Sequence, residues 1–394
     1  MSLATVAIDG VTPVSTVAPS TADELAAHLR DANAQHQKVA PIGGGTQLDL
    51  GMPPARIDLA IETTGLNRIV EYEPADLTVT VEAGMRLAEL QRILGEQGQF
   101  LALDPPLADG ATVGGAIATN ASGALRFAHG TARDLVIGTR VANPDGTVTR
   151  AGGRVVKNVA GYDLNKLYIG SLGTLAVIVE LSFKLAPIPP STATVNGTFS
   201  SSTAASDVVG AVVRSPLSPL AVELVGSRQV VFRLGGYPQA VERQVRELSA
   251  LIEQHGGRAG ETVWEDLQRA HIESRRRDVV VKAAAPISAS SRLVEMLEGR
   301  LASLNPVVWA QAGNGVAYAA CDAPSDAEVL VAARRDVAAL GDNASLVLER
   351  CPTPLKSEID VWGEPGPSVS LMRAVKAKLD PNTTLNPGRY VGGI

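Results

Sequence analysis

The chain has 394 residues, 45% of them hydrophobic and 19% charged, with a formal net charge of −6. That length supplies two to three domains at roughly 100 to 200 residues each, and the hydrophobic content excludes a disordered chain. The acidic balance and the 4% aromatic content exclude nucleic-acid binding by charge or stacking, whereas 38 glycines favour binding through exposed backbone.

In chain order, Ser20 or Thr21 caps an amphipathic helix carrying Leu25, Ala26 and Leu29. A strand from Lys38 to Ile42 then runs into Gly43-Gly44-Gly45-Thr46. Leu77, Val79 and Val81 alternate as in a half-exposed strand, and Arg86 to Leu94 has helical spacing. Two strand-like runs between Asp134 and Arg150 flank the turn Asn143-Pro144-Asp145-Gly146, which reads as a hairpin. A β-rich run from Thr174 to Leu185 follows, so the class is α+β or α/β.

Residues 186–206, rich in Pro, Ser and Thr, lack a sustained period and read as a domain junction near residue 190. Beyond them, strands at 221–225 and 229–234 precede a helix at 238–254, and a strand at 278–282 precedes a helix at 290–301. A second pass has strands at 307–312 and 316–320, a helix at 326–340 and a strand at 345–348. This alternation predicts a ferredoxin-like antiparallel sheet with helices on one face. A last helix, Ser368 to Leu379, leads into the tail.

Cys321 and Cys351 cannot build a disulfide framework and supply half the thiolates of one four-thiolate iron–sulfur cluster. With no basic stretch ahead of an apolar one at the N-terminus, a reducing, cytoplasmic location is expected. The apolar run Leu175–Val179 stops at Glu180, well short of the roughly 20 residues of a membrane span. Membrane association is therefore expected only at the periphery, through a partner.

Two segments carry candidate chemistry. In Pro41-Ile42-Gly43-Gly44-Gly45-Thr46-Gln47, residues without a Cβ let backbone N–H groups converge on an anion, although the spacing fits neither the Rossmann nor the Walker pattern. A structural turn remains the alternative. Ala111 to Gly123 has small residues at nearly every position, which suits either a close-packed hairpin or a clasp on a ligand. Two donor-rich segments in one domain suit a ligand with two phosphates.

These segments, with Val81–Gly84, Asp104-Pro105-Pro106, His129–Asp134, Lys157–Asp163 and Gly170–Leu175, resemble the FAD-binding domains shared by vanillyl-alcohol oxidase, the D-2-hydroxyacid dehydrogenases and the glycolate oxidase subunits. Ile359–Gly363 and Leu385–Ile394 are similar to the FAD-binding E subunit of glycolate oxidase. The resemblance implies an α+β fold: a PCMH-type two-subdomain FAD-binding domain at 1–188, a ferredoxin-like antiparallel-sheet cap domain at 189–355, and a C-terminal segment, 356–394, returning to the first domain. It implies that Pro41, Ile42, Gly43, Gly44, Gly45, Thr46 and Gln47 wrap the pyrophosphate from one side. Thr112, Gly114, Gly115, Asn120, Ser122 and Gly123 wrap it from the other, Ile178 offers backbone to the adenine end, and Pro105 lies along the cofactor. Thr46 and Gln47 stand where relatives with covalent flavin often have a histidine, so noncovalent FAD is expected.

Metal-dependent 2-hydroxyacid dehydrogenases of this fold carry H-x-G-D-G-N-x-H in the cap, where imidazoles bind a divalent metal. Here that run reads Gln311-Ala312-Gly313-Asn314-Gly315-Val316-Ala317-Tyr318, and a later E-H-G becomes Glu349-Arg350-Cys351. No metal site is expected. Glu349, Arg350 and Tyr162 are the candidate catalytic residues, and Arg275-Arg276-Arg277 is a possible anion-steering run or a solvated face. The implied function is oxidation of glycolate to glyoxylate, with a homologous catalytic FAD subunit and an iron–sulfur subunit as partners. Two alternatives stay open: a stand-alone, metal-independent FAD-dependent dehydrogenase or oxidase of another small hydroxyacid or alcohol, and a non-catalytic assembly subunit.

Overall fold

The computed structural model describes residues 6–153 and 162–394. The chain forms two compact units, one of residues 1–123, 130–188 and 364–394, the other of residues 124–129 and 189–363.

The first unit begins where the sequence predicts a capped helix. Ala22–Ala34 is helical because Thr21 Oγ1 accepts from the Glu24 amide (3.2 Å) while the Glu24 carboxylate accepts from the Ser20 amide (2.8 Å). Leu25 and Leu29, one turn apart and fully buried, face Val39, Leu59 and Ile61. Burying each contributes about 1.5 to 3 kcal/mol. Val39–Ile42 and Ser15–Val17 lie parallel on either side of Leu59–Glu62. A second, antiparallel sheet runs in the order Ile69–Glu73, Thr78–Glu82, Val177–Lys184, Val136–Ala142, Val148–Gly152.

Thr78–Glu82 departs from its half-exposed reading. Thr80 and Glu82 are buried as well as Val79 and Val81, because Thr80 hydrogen-bonds Ser182 across the sheet (2.9 Å) and Glu82 pairs with Arg68 (2.7 Å). Paired polar groups make both faces of a strand buriable, and alternation alone does not report the pairing. Thr112–Gly123 is no hairpin either: Val113–Ala118 forms a short helix capped by Thr112, whose Oγ1 accepts from the Gly115 amide (3.2 Å).

The second unit holds an eight-stranded antiparallel sheet. The stretch expected to be a structureless junction contains a strand, Ser191–Thr198, and a helix, Ser202–Val213 capped by Ser201. Serine and threonine hid them: threonine is a good strand former and serine a good cap. With these two elements restored, residues 191–261 form strand, helix, strand, strand, helix, strand, with sheet order fourth, first, third, second. Residues 279–350 repeat the pattern in mirror order, and the two halves join where Ala221–Val225 pairs antiparallel with Val307–Gln311. The predicted ferredoxin-like sheet is therefore present twice. Alternation along the central strands sends Trp309, Tyr318 and Lys282 to one common face.

Among the described residues, no helix is long and apolar enough to cross a membrane.

Candidate functional site

In the first unit the strand Val39–Ile42 ends at its C-terminal edge in the glycine loop, the position at which parallel strands present ligands. The loop and the segment from Ala111 to Ala121 face each other across an open cleft of about 700 Å³, part of it open solvent. Pro41, Gly43, Gly44, Gly45, Thr46, Gln47, Pro105, Thr112 and Gly115 line it. A second cavity of about 410 Å³ shares Pro41, Gly43 and Gly115 with the first and adds Ile42, Gly114 and Ile178.

The two sides are chemically unequal. Among the described residues, the amides of Gly44, Gly45, Thr46 and Gln47 donate to no protein group. On the opposite side the amides are spent: Gly114 donates to the Ala83 carbonyl (2.8 Å), Gly115 to Thr112 Oγ1 (3.2 Å) and Gly123 to Asp104 Oδ1 (3.0 Å). The first loop is thus the side of the cleft with open backbone donors, and the second segment is a close-fitting wall. Glycine at 114 serves that wall, since an added Cβ would lie 2.7 Å from the Ala83 Cβ and 2.8 Å from its carbonyl oxygen. Glycine at 44 is required by the Gly110 carbonyl, which an added Cβ would strike. Gly45 differs again, with open space around it but a φ of +75°.

Three sequence-predicted residues lie outside both linings. Asn120 is exposed in the left-handed region (φ 51°), Ser122 is buried with its hydroxyl unpartnered, and Gly123 packs against Asp104. Conversely, the linings include residues that local reasoning passed over: Ile8, Leu172, Asn386 and Arg389. The Arg389 side chain donates through Nη2 to the carbonyls of Leu48 (2.7 Å) and Leu50 (2.5 Å). The available signal was Asn386-Pro387-Gly388, a turn able to deliver the following arginine.

The three catalytic candidates divide between the units, Tyr162 in the first and Glu349 and Arg350 in the second. Tyr162 is 93% exposed. Lys157 and the rest of its run through Gly161 lie outside the described residues. Arg350, in the second unit, donates to the Arg276 carbonyl (3.4 Å). Glu349 is the centre of a charged cluster: Arg275 Nη1 lies 2.7 Å from one carboxylate oxygen and Lys282 Nζ 3.3 Å from the other. Burial raises the Glu349 carboxyl, but Lys282 and Arg275 together reverse this and hold it below its ordinary value. Arg275 also sits 4.2 Å above the Tyr318 ring, which stacks on Trp309 (5.4 Å). Of the arginine run, Arg275 is therefore a structural cation, and Arg277 pairs with Asp322 (2.5 Å). Cys321 and Cys351 are buried and free, and burial pushes the Cys321 thiol up to about 12, so it stays protonated. Among the described residues, no three His, Cys, Asp or Glu side chains are grouped to hold a metal.

Comparison with known proteins gives this geometry a context. Residues 13–152 match the model of an FAD binding domain, and residues 364–390 match the C-terminal domain of FAD linked oxidases. The glycolate oxidase subunit GlcD of Bacillus subtilis is 29% identical over 293 residues, covering 74% of this chain and 62% of its own length. The glycolate oxidase subunit GlcE of Escherichia coli is 43% identical over 122 residues, covering 31% of this chain and 35% of its own. The chain thus spans less than two thirds of these relatives. p-Cresol methylhydroxylase with substrate bound superposes at a TM-score of 0.76 with 15% identity, over 95% of this chain and 88% of that one, a likeness of fold alone. The α+β fold is that of the PCMH-type FAD oxidases and includes an antiparallel-sheet unit. Both family matches are thus to domains of FAD-binding and FAD-linked oxidase proteins.

Proposed function

We propose that the chain binds FAD noncovalently, with the Gly43–Gln47 loop cradling the diphosphate, and that it is the FAD-binding subunit of a glycolate-oxidising complex. The observation that carries the first half is the row of unused amides at Gly44, Gly45, Thr46 and Gln47 facing a cavity inside a domain matched to FAD binding. Hydrogen bonds to charged oxygens contribute about 1.5 to 3 kcal/mol each, so four such amides supply about 6 to 12 kcal/mol before ordering costs, which supports noncovalent retention. Among the described residues, no histidine or cysteine lines either cavity, which favours noncovalent attachment. Pro41, Ile42, Pro105, Thr112, Gly114, Gly115 and Ile178 complete the walls; Asn120, Ser122 and Gly123 shape the segment from behind.

Bound FAD supplies a two-electron acceptor for oxidation of a hydroxyl-bearing carbon to a carbonyl. The protein's part is to hold it and exclude water. Likeness to the glycolate oxidase subunits of B. subtilis and E. coli supports glycolate as the substrate of the assembly. In this reading the chain relays electrons beside a homologous catalytic flavoprotein subunit and an iron–sulfur subunit. It is located in the cytoplasm, at the inner membrane only through its complex.

One observation favours a second reading, a stand-alone metal-independent dehydrogenase. The Lys282 side chain is 29% exposed and uses one ion pair to Glu349, leaving ammonium donors for a substrate carboxylate. Native purification through a tag on this chain separates the two. Co-purification of a larger flavoprotein and an iron–sulfur protein, with glycolate-dependent dye reduction confined to the assembly, supports the first. Full activity of the isolated chain supports the second, and a chain that stays colourless after incubation with FAD sinks both.

A further inference from the structure

Among the described residues, both cavities are lined by glycine, proline, apolar and neutral polar residues, and the first also by the ionisable side chain of Arg389; the Arg86 guanidinium lies beside Gly44 and donates to the Gly110 carbonyl. Arg389 enters from the end of the chain and is 5% exposed. Its Nη2 holds the Leu48 and Leu50 carbonyls, and its own carbonyl accepts from the Met52 amide (3.0 Å). Arg389 therefore brackets the turn that directly follows the glycine loop. Its Nη1 lies 3.6 Å from Oδ2 of Asp9, whose side chain is 3% exposed. At that separation the two buried groups form an ion pair rather than a hydrogen bond. Ile8, the neighbour of Asp9, lines the same cavity.

A diphosphate loses water on entering such a site, and partial charges on amides offset only part of that cost. A full positive charge nearby offsets more, and guanidinium is the group matched to phosphate oxygens. We propose that Arg389 is the cation that balances the diphosphate of bound FAD, and that Asp9 restrains this charge while the site awaits its ligand. The proposal rests on the FAD reading above. Burial pushes the Arg389 pKa down while Asp9 and Asp49 push it back up, and a guanidinium stays charged at any pH where the chain is folded. Arg389 thus has two separable tasks: its Nη2 bonds shape the turn, and its charge favours the anion.

The test titrates the apo chain with FAD and, in parallel, with riboflavin, which lacks the diphosphate, following flavin fluorescence at two salt concentrations. Wild-type binding of FAD establishes the underlying reading; absence of it ends that reading and not this one alone. Arg389→Gln is expected to weaken FAD binding about ten- to a hundredfold, to reduce its salt dependence and to leave riboflavin affinity within about threefold. Arg389→Lys is expected to retain most of the FAD affinity. Equal loss for both ligands, or loss for neither, overturns the proposal. Should Arg389→Gln fail to fold, Asp9→Asn carries the test: tighter FAD binding supports the charge role, and unchanged or weaker binding overturns it.

Discussion

The Lys376 ammonium lies 2.6 Å from the Asp380 carboxylate, one helical turn on, with side-chain exposures of 7% and 0%. Lys376 also donates to the carbonyls of Thr174 (2.7 Å) and Leu385 (2.9 Å), while Asp380 accepts from the Thr384 and Leu385 amides (2.9 and 2.8 Å). This pair ties the helix Val369–Leu379, the turn before Val177 and the tail that carries Arg389 to one point. Burial pushes Lys376 below its ordinary pKa, and Asp380 pulls it back.

Removing one partner leaves the other charged and buried. Lys376→Met is expected to cost about 3 to 5 kcal/mol in urea denaturation of the apo chain. The double variant Lys376→Met, Asp380→Asn should recover part of that loss, because no lone charge remains.

His271 yields a pH prediction. Burial, with the Arg275 charge adding to it, pushes His271 down to about 3; Glu223 Oε2 at 3.8 Å from Nδ1 is too distant to compensate. The folded chain thus keeps the imidazole neutral where the unfolded chain protonates it, so stability is complete above about pH 6.5 and declines as pH falls toward 3. The full effect is on the order of several kcal/mol. Urea titrations of the wild type and His271→Asn between pH 7 and 4.5 should differ in slope, the variant losing less.

The glycines divide by cause. Gly114→Ala places a Cβ against Ala83 and should destabilise the apo chain by about 1 to 3 kcal/mol by overpacking. Gly45→Asn meets open space and a left-handed φ that asparagine tolerates. The apo melting temperature of Gly45→Asn should stay within about 2 °C of wild type while FAD retention falls, as flavin absorbance after gel filtration would report.

In the second unit, Glu349→Gln leaves Arg275 and Lys282 without their shared carboxylate. A loss of about 3 kcal/mol or more is expected by thermal melt. Lys282→Met, losing one of two cations on Glu349, should cost less than half as much.

Local chemistry was legible along the chain wherever the cause lies within a few residues. Thr21 with Glu24 caps the start of one helix, Pro238 starts another at its expected position, and Asn143–Gly146 turns the hairpin. The glycine loop was legible as a run of backbone lining a cleft, because residues without Cβ permit close approach. Unread were the strand and helix at 191–213, where serine and threonine mimic a linker, and with them the doubled ferredoxin-like sheet.

Side-chain type and spacing up to a helical turn set the caps, the turns and the donor-rich loop before any folding. Which amides remain available was decided in three dimensions: Gly114 and Gly123 spend theirs on Ala83 and Asp104, 31 and 19 positions back, and Gly44–Gln47 keep theirs. Arg389 reaches Leu48 across 341 positions. Periodicity and spacing report neighbours along the chain, whereas hydrogen-bond exhaustion and the burial of a lone charge depend on what distant segments bring.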